Sequence, residues 1–299
     1  ALSLAALNAA AATTLTVSNS ALTTITLLVN NAANITLTNA NTGTTGVLTV
    51  AGHTDTNAAF ASLALNGSIA YTGNFNAATG AATVSGATNN QNVSLTMNNA
   101  TGAKTVTLGN GTNSVTTGGA ADVITSGNGT NTVVSGAGND TITLGTGANT
   151  VTPGAGGDIV TLGAGTAASS IVYTAAGETF AAAVTSGTTA LTVAAGADRI
   201  IGLQAGDTIN LTALTENLYV NTVGTTAILT ATGVGDFSLL RGNFVTTTGV
   251  FTLNATGTDS IFQWDSNGSA LGGNVETVVL VGFTGTATST IDGLVTFAA

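Results

Sequence analysis

The sequence predicts an all-β chain of many short strands joined by tight turns, and three observations carry that prediction. Hydrophobic residues make up 43% of the 299 and charged residues only 5%, a balance that supports a real core, in one elongated or two compact domains. Proline occurs once against 40 glycines, and the apolar residues are mixed with Thr and Asn, which is the composition of strands punctuated by turns rather than of a disordered chain. Finally, one stretch of the chain runs in a fixed nine-residue register without insertion.

Residues 1–107 form a Thr- and Asn-rich region of short alternating runs: "TLTVSNS", "TTITLLVNN", "ANITLTNANTG", "GVLTVAG", "SLALNGS" and "VSLTMNNATG". Each is a few residues of Val, Ile, Leu and Thr ended by Asn or Gly, the signature of strands broken by turns. Their spacing is only loosely regular, so the wrap is a solenoid or a sandwich. The pairs Asn30–Asn31 and Asn98–Asn99 suit left-handed turn positions and stacked amide ladders. The opening "ALSLAALNAAAA" has no positively charged region and does not read as an intact secretory signal; a start on Ala1 is also compatible with a processed or truncated product. No apolar stretch reaches the roughly 18 residues of a membrane span.

Residues 108–168 hold the repeats. Cut at nine, they read LGNGTNSVT, TGGAADVIT, SGNGTNTVV, SGAGNDTIT, LGTGANTVT and PGAGGDIVT, followed by a partial copy, LGAGT. The second residue is always Gly, the eighth is Val or Ile, and the sixth alternates between Asn (Asn113, Asn131, Asn149) and Asp (Asp122, Asp140, Asp158). This closely resembles the repeats-in-toxin (RTX) nonapeptide, G-G-x-G-x-D-x-U-x with U a large apolar residue. The resemblance implies a parallel β-roll in which each nonad supplies one calcium-binding turn and one strand, and two nonads complete a circuit.

If two nonads make a circuit, copies two apart stack, which puts the three Asn on one edge and the three Asp on the other. Stacked carboxylates one strand spacing apart, roughly 4.8 Å, repel without a cation, and calcium takes about 6 to 8 oxygens from flexible ligands. About two full calcium sites are expected, between the Asp122 and Asp140 turns and between the Asp140 and Asp158 turns, with the Asn edge free of metal. Carried over by position, the resemblance adds the backbone carbonyls of Gly118, Gly119, Gly136, Ala137, Gly154 and Ala155 as ligands. Two residues depart from the pattern: Ala120 replaces the usual fourth-position Gly and Pro153 a first-position Gly, and the first is expected to strain the Asp122 turn. The competing reading is a purely structural solenoid whose Asp residues simply favour turns; the period of eighteen favours metal.

Residues 169–299 read as a C-terminal β capping and secretion module. "GADRIIGLQAGDTINLT" looks like the segment that follows the roll in many calcium-dependent type I secreted proteins, which implies that Asp207 and Asp198 complete a terminal calcium site; alternatively Asp198 pairs with Arg199 or faces solvent. "FTLNATGTDSIFQWDSNGSALGGNVETVVLVGF" reads as three strands with "DSNGSALGG" as a turn between the last two, where Asp265 and Asn267 either hold another ion or form a plain turn. The stretch resembles a module found on type I secreted and surface-layer proteins, and the ending "TIDGLVTFAA" is compatible with an uncleaved export signal.

Thirteen acids against Lys104, Arg199 and Arg241 leave a net charge of −10, which excludes nucleic acid and anionic membrane as partners. Ahead of Asp122 the only acidic side chain is Asp55, so the demand for cations belongs to the later part of the chain. With no cysteine, disulfides and thiolate chemistry are absent. The single histidine, His53, rules out HExxH zinc sites. No G-x-S-x-G elbow or phosphate loop stands in context, and neither His53 with Asp55 nor the acids Asp236, Asp259, Asp265 and Glu276 are spaced for catalysis.

The expected fold is thus all-β, an elongated parallel β-solenoid or β-roll with a C-terminal β-rich module, and the protein is not an enzyme. The expected function is that of a secreted structural protein of the bacterial cell surface, most like surface-layer (S-layer) proteins, self-assembling into a layer, sheath or filament as calcium drives folding and assembly. Its partners are then copies of itself and, by the resemblance, a surface polysaccharide. The alternative is a calcium-folding secretion module of a larger type I secreted adhesin or hydrolase.

Overall fold

The computed structural model describes residues 2–4, 13–17, 24–27, 33–40, 47–55, 57–99, 101–182, 190–193, 196–214, 219–224, 236–265, 275–289 and 293–299. These are almost entirely strands and turns; among the described residues the one helical element is the single 3-10 turn Thr212–Leu214, and no helix is long and apolar enough to cross a membrane. The chain divides into two compact units, residues 1–137 with 143–147, and residues 138–142 with 148–299.

The first unit is a parallel β-solenoid whose successive strands alternate between two sheets. One sheet stacks Leu2–Leu4, Thr24–Leu27, Leu48–Thr54, Ile69–Asn74, Val93–Thr96, Asn113–Thr116 and Asn131–Val134. The other stacks Thr13–Val17, Asn34–Asn39, Ser62–Asn66, Ala82–Gly86, Lys104–Leu108 and Val123–Ser126. Side chains alternate, so Ile35, Leu63, Val84, Val106 and Ile124 point inward from one sheet and Leu48, Tyr71, Val93, Val115 and Val133 from the other, while most strand Thr and Ser face out. This resolves the choice between solenoid and sandwich.

The loose spacing of the early runs has a physical origin in the circuit length. Ile35 pairs with Leu63, Leu63 with Val84, Val84 with Val106 and Val106 with Ile124, so steps of 28, 21 and 22 residues give way to 18. Extra residues are absorbed in the turns and, in the other sheet, at a register shift between Val50 and His53. Strands Ile69–Asn74 and Ala82–Gly86, absent from the sequence reading, complete these irregular circuits. Of the two Asn pairs, Asn98 donates its N–H to Asn76 Oδ1 at 2.7 Å and Asn99 Nδ2 donates to Asn76 O at 3.3 Å, bonds between side chain and backbone of neighbouring turns in place of the expected side-chain amide ladder; Asn30 and Asn31 lie outside the described residues.

The second unit begins as a parallel stack and ends antiparallel. Thr150–Thr152, Ser170–Val172 and Thr208–Asn210 are parallel, then Leu294–Ala298 and Thr286–Ser289 add in antiparallel order. Opposite them Ile159–Leu162, Asp198–Ile201 and Val275–Val281 are parallel, and Asp259–Asp265, Asp236–Val245 and Val250–Leu253 follow as an antiparallel meander. The three strands expected around "FTLNATG…VVLVGF" are therefore present. Trp264 covers the last coil, its ring centroid 5.2 Å from that of Tyr173 and 5.5 Å from that of Phe262, with Phe237 and Phe297 continuing the aromatic layer. Large rings end a solenoid core that the small β-branched residues of the repeats cannot close by themselves.

Candidate metal centre

On the Asn edge of the first unit, the sixth residue of each nonad supplies its own donors. Asn113 and Asn131 are aligned by strand register and buried. Asn113 Nδ2 donates to Gly109 O and Gly111 O, both at 3.0 Å, and to Asn131 Oδ1 at 3.1 Å. Asn131 Nδ2 repeats the pattern on Gly127 O at 3.0 Å and Gly129 O at 2.7 Å. The carbonyl two residues upstream, at the fourth position, is thus satisfied by the amide of its own turn, and the amide-to-amide contact expected along this edge is present.

Carboxylates have no such donor. In the second unit the Asp140 N–H donates to Asp158 Oδ1 at 2.8 Å, and the Asp158 N–H donates to Asp198 Oδ1 at 2.9 Å. Asp140, Asp158 and Asp198 are all buried, and among the described residues Asp158 Oδ2 has no hydrogen-bond partner. Burial, with the neighbouring Asp198 charge added, pushes the Asp158 carboxyl up to about 8; burial likewise lifts Asp198 to about 7, against the hydrogen bonds it accepts from Asp158 N–H and from Tyr173 OH at 2.7 Å. Glu178 adds to the negative field at both, and Glu276 at Asp198. The Arg199 guanidinium lies over the Phe244 ring, 5.8 Å from its centroid, so pairing with Asp198 is not its role.

The fit to a hard cation follows from these groups. Orphaned buried carboxylate oxygen and accumulated negative charge call for a positive ion, and oxygen-only donors select calcium or a relative over zinc. Among the described residues no three His, Cys, Asp or Glu side chains cluster to hold an ion by themselves, so the remaining oxygens must come from turn carbonyls. Of those expected as ligands, Gly118 O accepts the Ala137 N–H at 2.9 Å and Ala155 O the Gly138 N–H at 2.8 Å, hydrogen bonds between neighbouring turns; Gly119, Gly136, Ala137 and Gly154 lie in the same turns.

The Asn edge points to a further set, the fourth-position carbonyls of Ala120, Gly138 and Gly156. A Cβ at Gly156 would meet Gly138 O at 1.7 Å, as one at Gly129 would meet Gly111 O at 2.0 Å, so these carbonyls stack alike on both edges. The sequence reading named carbonyls at the second and third positions and passed over these, whose stacking only the coil geometry reveals. The Asp122 turn, with Ala120 at its fourth position, is wound differently: Gly136 and Gly154 have φ of 102° and 87°, whereas Gly118 has no positive φ.

Asp198 and Asp207, expected together at a terminal site, sit apart. Asp198 extends the Asp edge, 40 residues beyond Asp158 rather than 18. Asp207 instead precedes the strand Thr208–Asn210 in the sheet of Asn149, where the Asn149 N–H donates to Ser169 Oγ at 3.3 Å and the Ser169 N–H to Asp207 Oδ1 at 2.7 Å. Its Oδ2 accepts the Gln204 N–H at 2.7 Å, so the carboxylate clamps a turn. Asp122 lies in the first unit and accepts the Lys104 N–H at 2.6 Å. Asn267 and the Asp265 side chain are outside the described residues. His53 is buried against the Phe75 ring and hydrogen-bonded to Tyr71 OH, and Asp259 accepts the N–H groups of Gly282 and Phe244 at 2.9 and 2.8 Å.

Comparison with known families agrees with this geometry. Residues 107–142 and 125–160 match the model of the RTX calcium-binding nonapeptide repeat. No significant match was found among curated proteins. The chain therefore carries, over residues 107–160, RTX calcium-binding nonapeptide repeats wound as a parallel β-roll.

Proposed function

We propose that this chain is a secreted, non-enzymatic structural protein that folds when it meets external calcium and then assembles with copies of itself into a surface layer, sheath or filament. The observation that carries the proposal is the buried Asp140–Asp158–Asp198 ladder, in which Asp158 Oδ2 has no hydrogen-bond partner among the described residues. Such a ladder makes folding of its coils conditional on a cation, because binding free energy is then folding free energy. Proteins with RTX repeats are typically exported by a type I route, and a chain that stays open at low cytosolic calcium and closes outside suits passage through an exporter. The outward Thr, Ser, Asn and Gly, with charge at 5% of residues, favour close contact between copies because few ions must be desolvated. A surface polysaccharide is the proposed anchor.

The test is electron microscopy of the purified chain after chelation and after return to millimolar calcium, with magnesium as the control. Ordered arrays or fibres that form only with calcium support the proposal. Monomers that fold with calcium yet never assemble refute it and favour the secretion module of a larger adhesin or hydrolase.

A further inference from the structure

Eighteen residues before Asp122, at the ladder position of the Asp edge, the chain has a lysine. Lys104 pairs with Ala82 on one side, and the next residue, Thr105, pairs with Val123 on the other, so Lys104 stands in register with Asp122. Its N–H donates to Asp122 Oδ1 at 2.6 Å, as the N–H groups of Asp140 and Asp158 donate to the next carboxylate of their own stack. The backbone pattern is the ladder's; the side chain has the opposite charge.

The side chain is 1% exposed, a rare state for lysine unless its charge is satisfied. Lys104 Nζ donates to Gly80 O at 3.1 Å and also to Gly102 O. Gly102 O is the carbonyl two residues upstream, the same offset at which Asn113 reaches Gly111 O and Asn131 reaches Gly129 O. Gly80 O is its counterpart one circuit earlier: a Cβ at Gly102 would meet it at 2.1 Å, the stacking seen at the fourth position of the repeats. Burial lowers the ammonium pKa and the nearby Asp122 charge raises it.

We propose that the Lys104 ammonium is a tethered cation standing where the roll would otherwise need calcium, seated on the turn carbonyls of Gly80 and Gly102 beside Asp122. It closes the calcium-dependent edge at its start and lets the coils before it fold without metal. This agrees with the acids: ahead of Asp122 only Asp55 is acidic. A solenoid already folded in the absence of calcium then serves as the template on which the calcium-dependent coils add. The inference rests on calcium binding by the repeats and is independent of assembly.

The experiment uses the full chain with K104M, K104N and K104D, and reads calcium stoichiometry by titration calorimetry and hydrogen exchange of Lys104–Leu108 in chelator. K104M is expected to bind as many ions as the wild type but to exchange about 10- to 100-fold faster in chelator, the loss of hydrogen bonds from a charged donor. K104N, whose amide reaches the same carbonyl as Asn113 does, keeps nearly wild-type protection. K104D binds one calcium more than the wild type. The proposal is overturned if K104M is as protected as the wild type, if the wild-type strand is itself unprotected in chelator, or if K104D folds in calcium with no added ion. A wild-type chain that binds no calcium would fall on the reading of the repeats, and the K104M and K104N comparison would still decide the role of Lys104.

Discussion

Replacing Asp158 by Asn should stabilise the chain without calcium and weaken its response to calcium. The amide oxygen keeps the bond that Oδ1 accepts from the Asp140 N–H at 2.8 Å, and the amide nitrogen replaces the partnerless Oδ2 with a donor of the kind Asn131 aims at Gly129 O. What disappears is the penalty of a buried acid. A carboxyl held at about 8 in the folded chain and 3.8 in the unfolded one costs folding up to about 5 kcal/mol at about pH 7.5. Recovering even about 2 kcal/mol raises the melting temperature by roughly 4–8 °C in a chain of this size. With calcium present the sign reverses: a neutral ligand replaces a charged one, and affinity at that site falls by about tenfold or more. Thermal melts of wild type and variant, in chelator and in millimolar calcium, read both arms. A variant that melts lower than the wild type in chelator, or shifts equally under both conditions, would refute the reasoning.

Asp158 and Asp198 have folded pKa values of about 8 and 7, above 3.8, so the stability they lend the chelated chain is full below about pH 4 and lost as pH rises through 7 to 8; melts between those limits should fall with pH in chelator, while the gain from calcium grows as protons cease to compete. Asn131→Ala removes donors to Gly127 O and Gly129 O and should cost about 2–4 kcal/mol in chemical denaturation, equally with and without calcium. Gly156→Ala puts a Cβ 1.7 Å from Gly138 O, and calcium titration followed by circular dichroism should show it folding only at higher calcium or not at all. Tyr173→Phe withdraws the hydroxyl that donates to Asp198 Oδ2 and should lower stability in chelator by about 1–3 kcal/mol, as urea titration would show.

The roll was legible because its circuit is constant: at eighteen residues per turn, every sixth position lands on its predecessor, and the Asn and Asp edges separate on the page. Legibility ended where the circuit length changed. Asp198 belongs to the same ladder as Asp158 but arrives 40 residues later, after chain that periodicity does not count. Asp207, paired with it by resemblance, falls in the other sheet because the strand that Asp198 begins and the strand that follows Asp207 enter opposite sheets. Most early strands were readable one by one, Ile69–Asn74 and Ala82–Gly86 excepted, while their stacking was not, since circuits of 28, 21 and 22 residues share no period. Lys104 does stand eighteen residues before Asp122, but it precedes the first full nonad, and nothing in its identity announces that a ladder position can hold the opposite charge.

Asn, Lys and Asp at one ladder position are best understood through the carbonyl two residues upstream. That oxygen points into the stack and needs a positive partner. Asn answers with an amide hydrogen from its own turn, and Lys104 answers with an ammonium. Asp offers only more oxygen, so its turn is incomplete until an ion arrives from outside. One edge of the roll is therefore self-sufficient, and the other is completed by calcium. Because the switch resides in a single side chain per circuit, exchanging Asn131 for Asp should move calcium dependence onto the Asn edge without altering the strands, and a variant whose stability stays indifferent to calcium would show that the carbonyl, rather than the carboxylate, had been given too large a part.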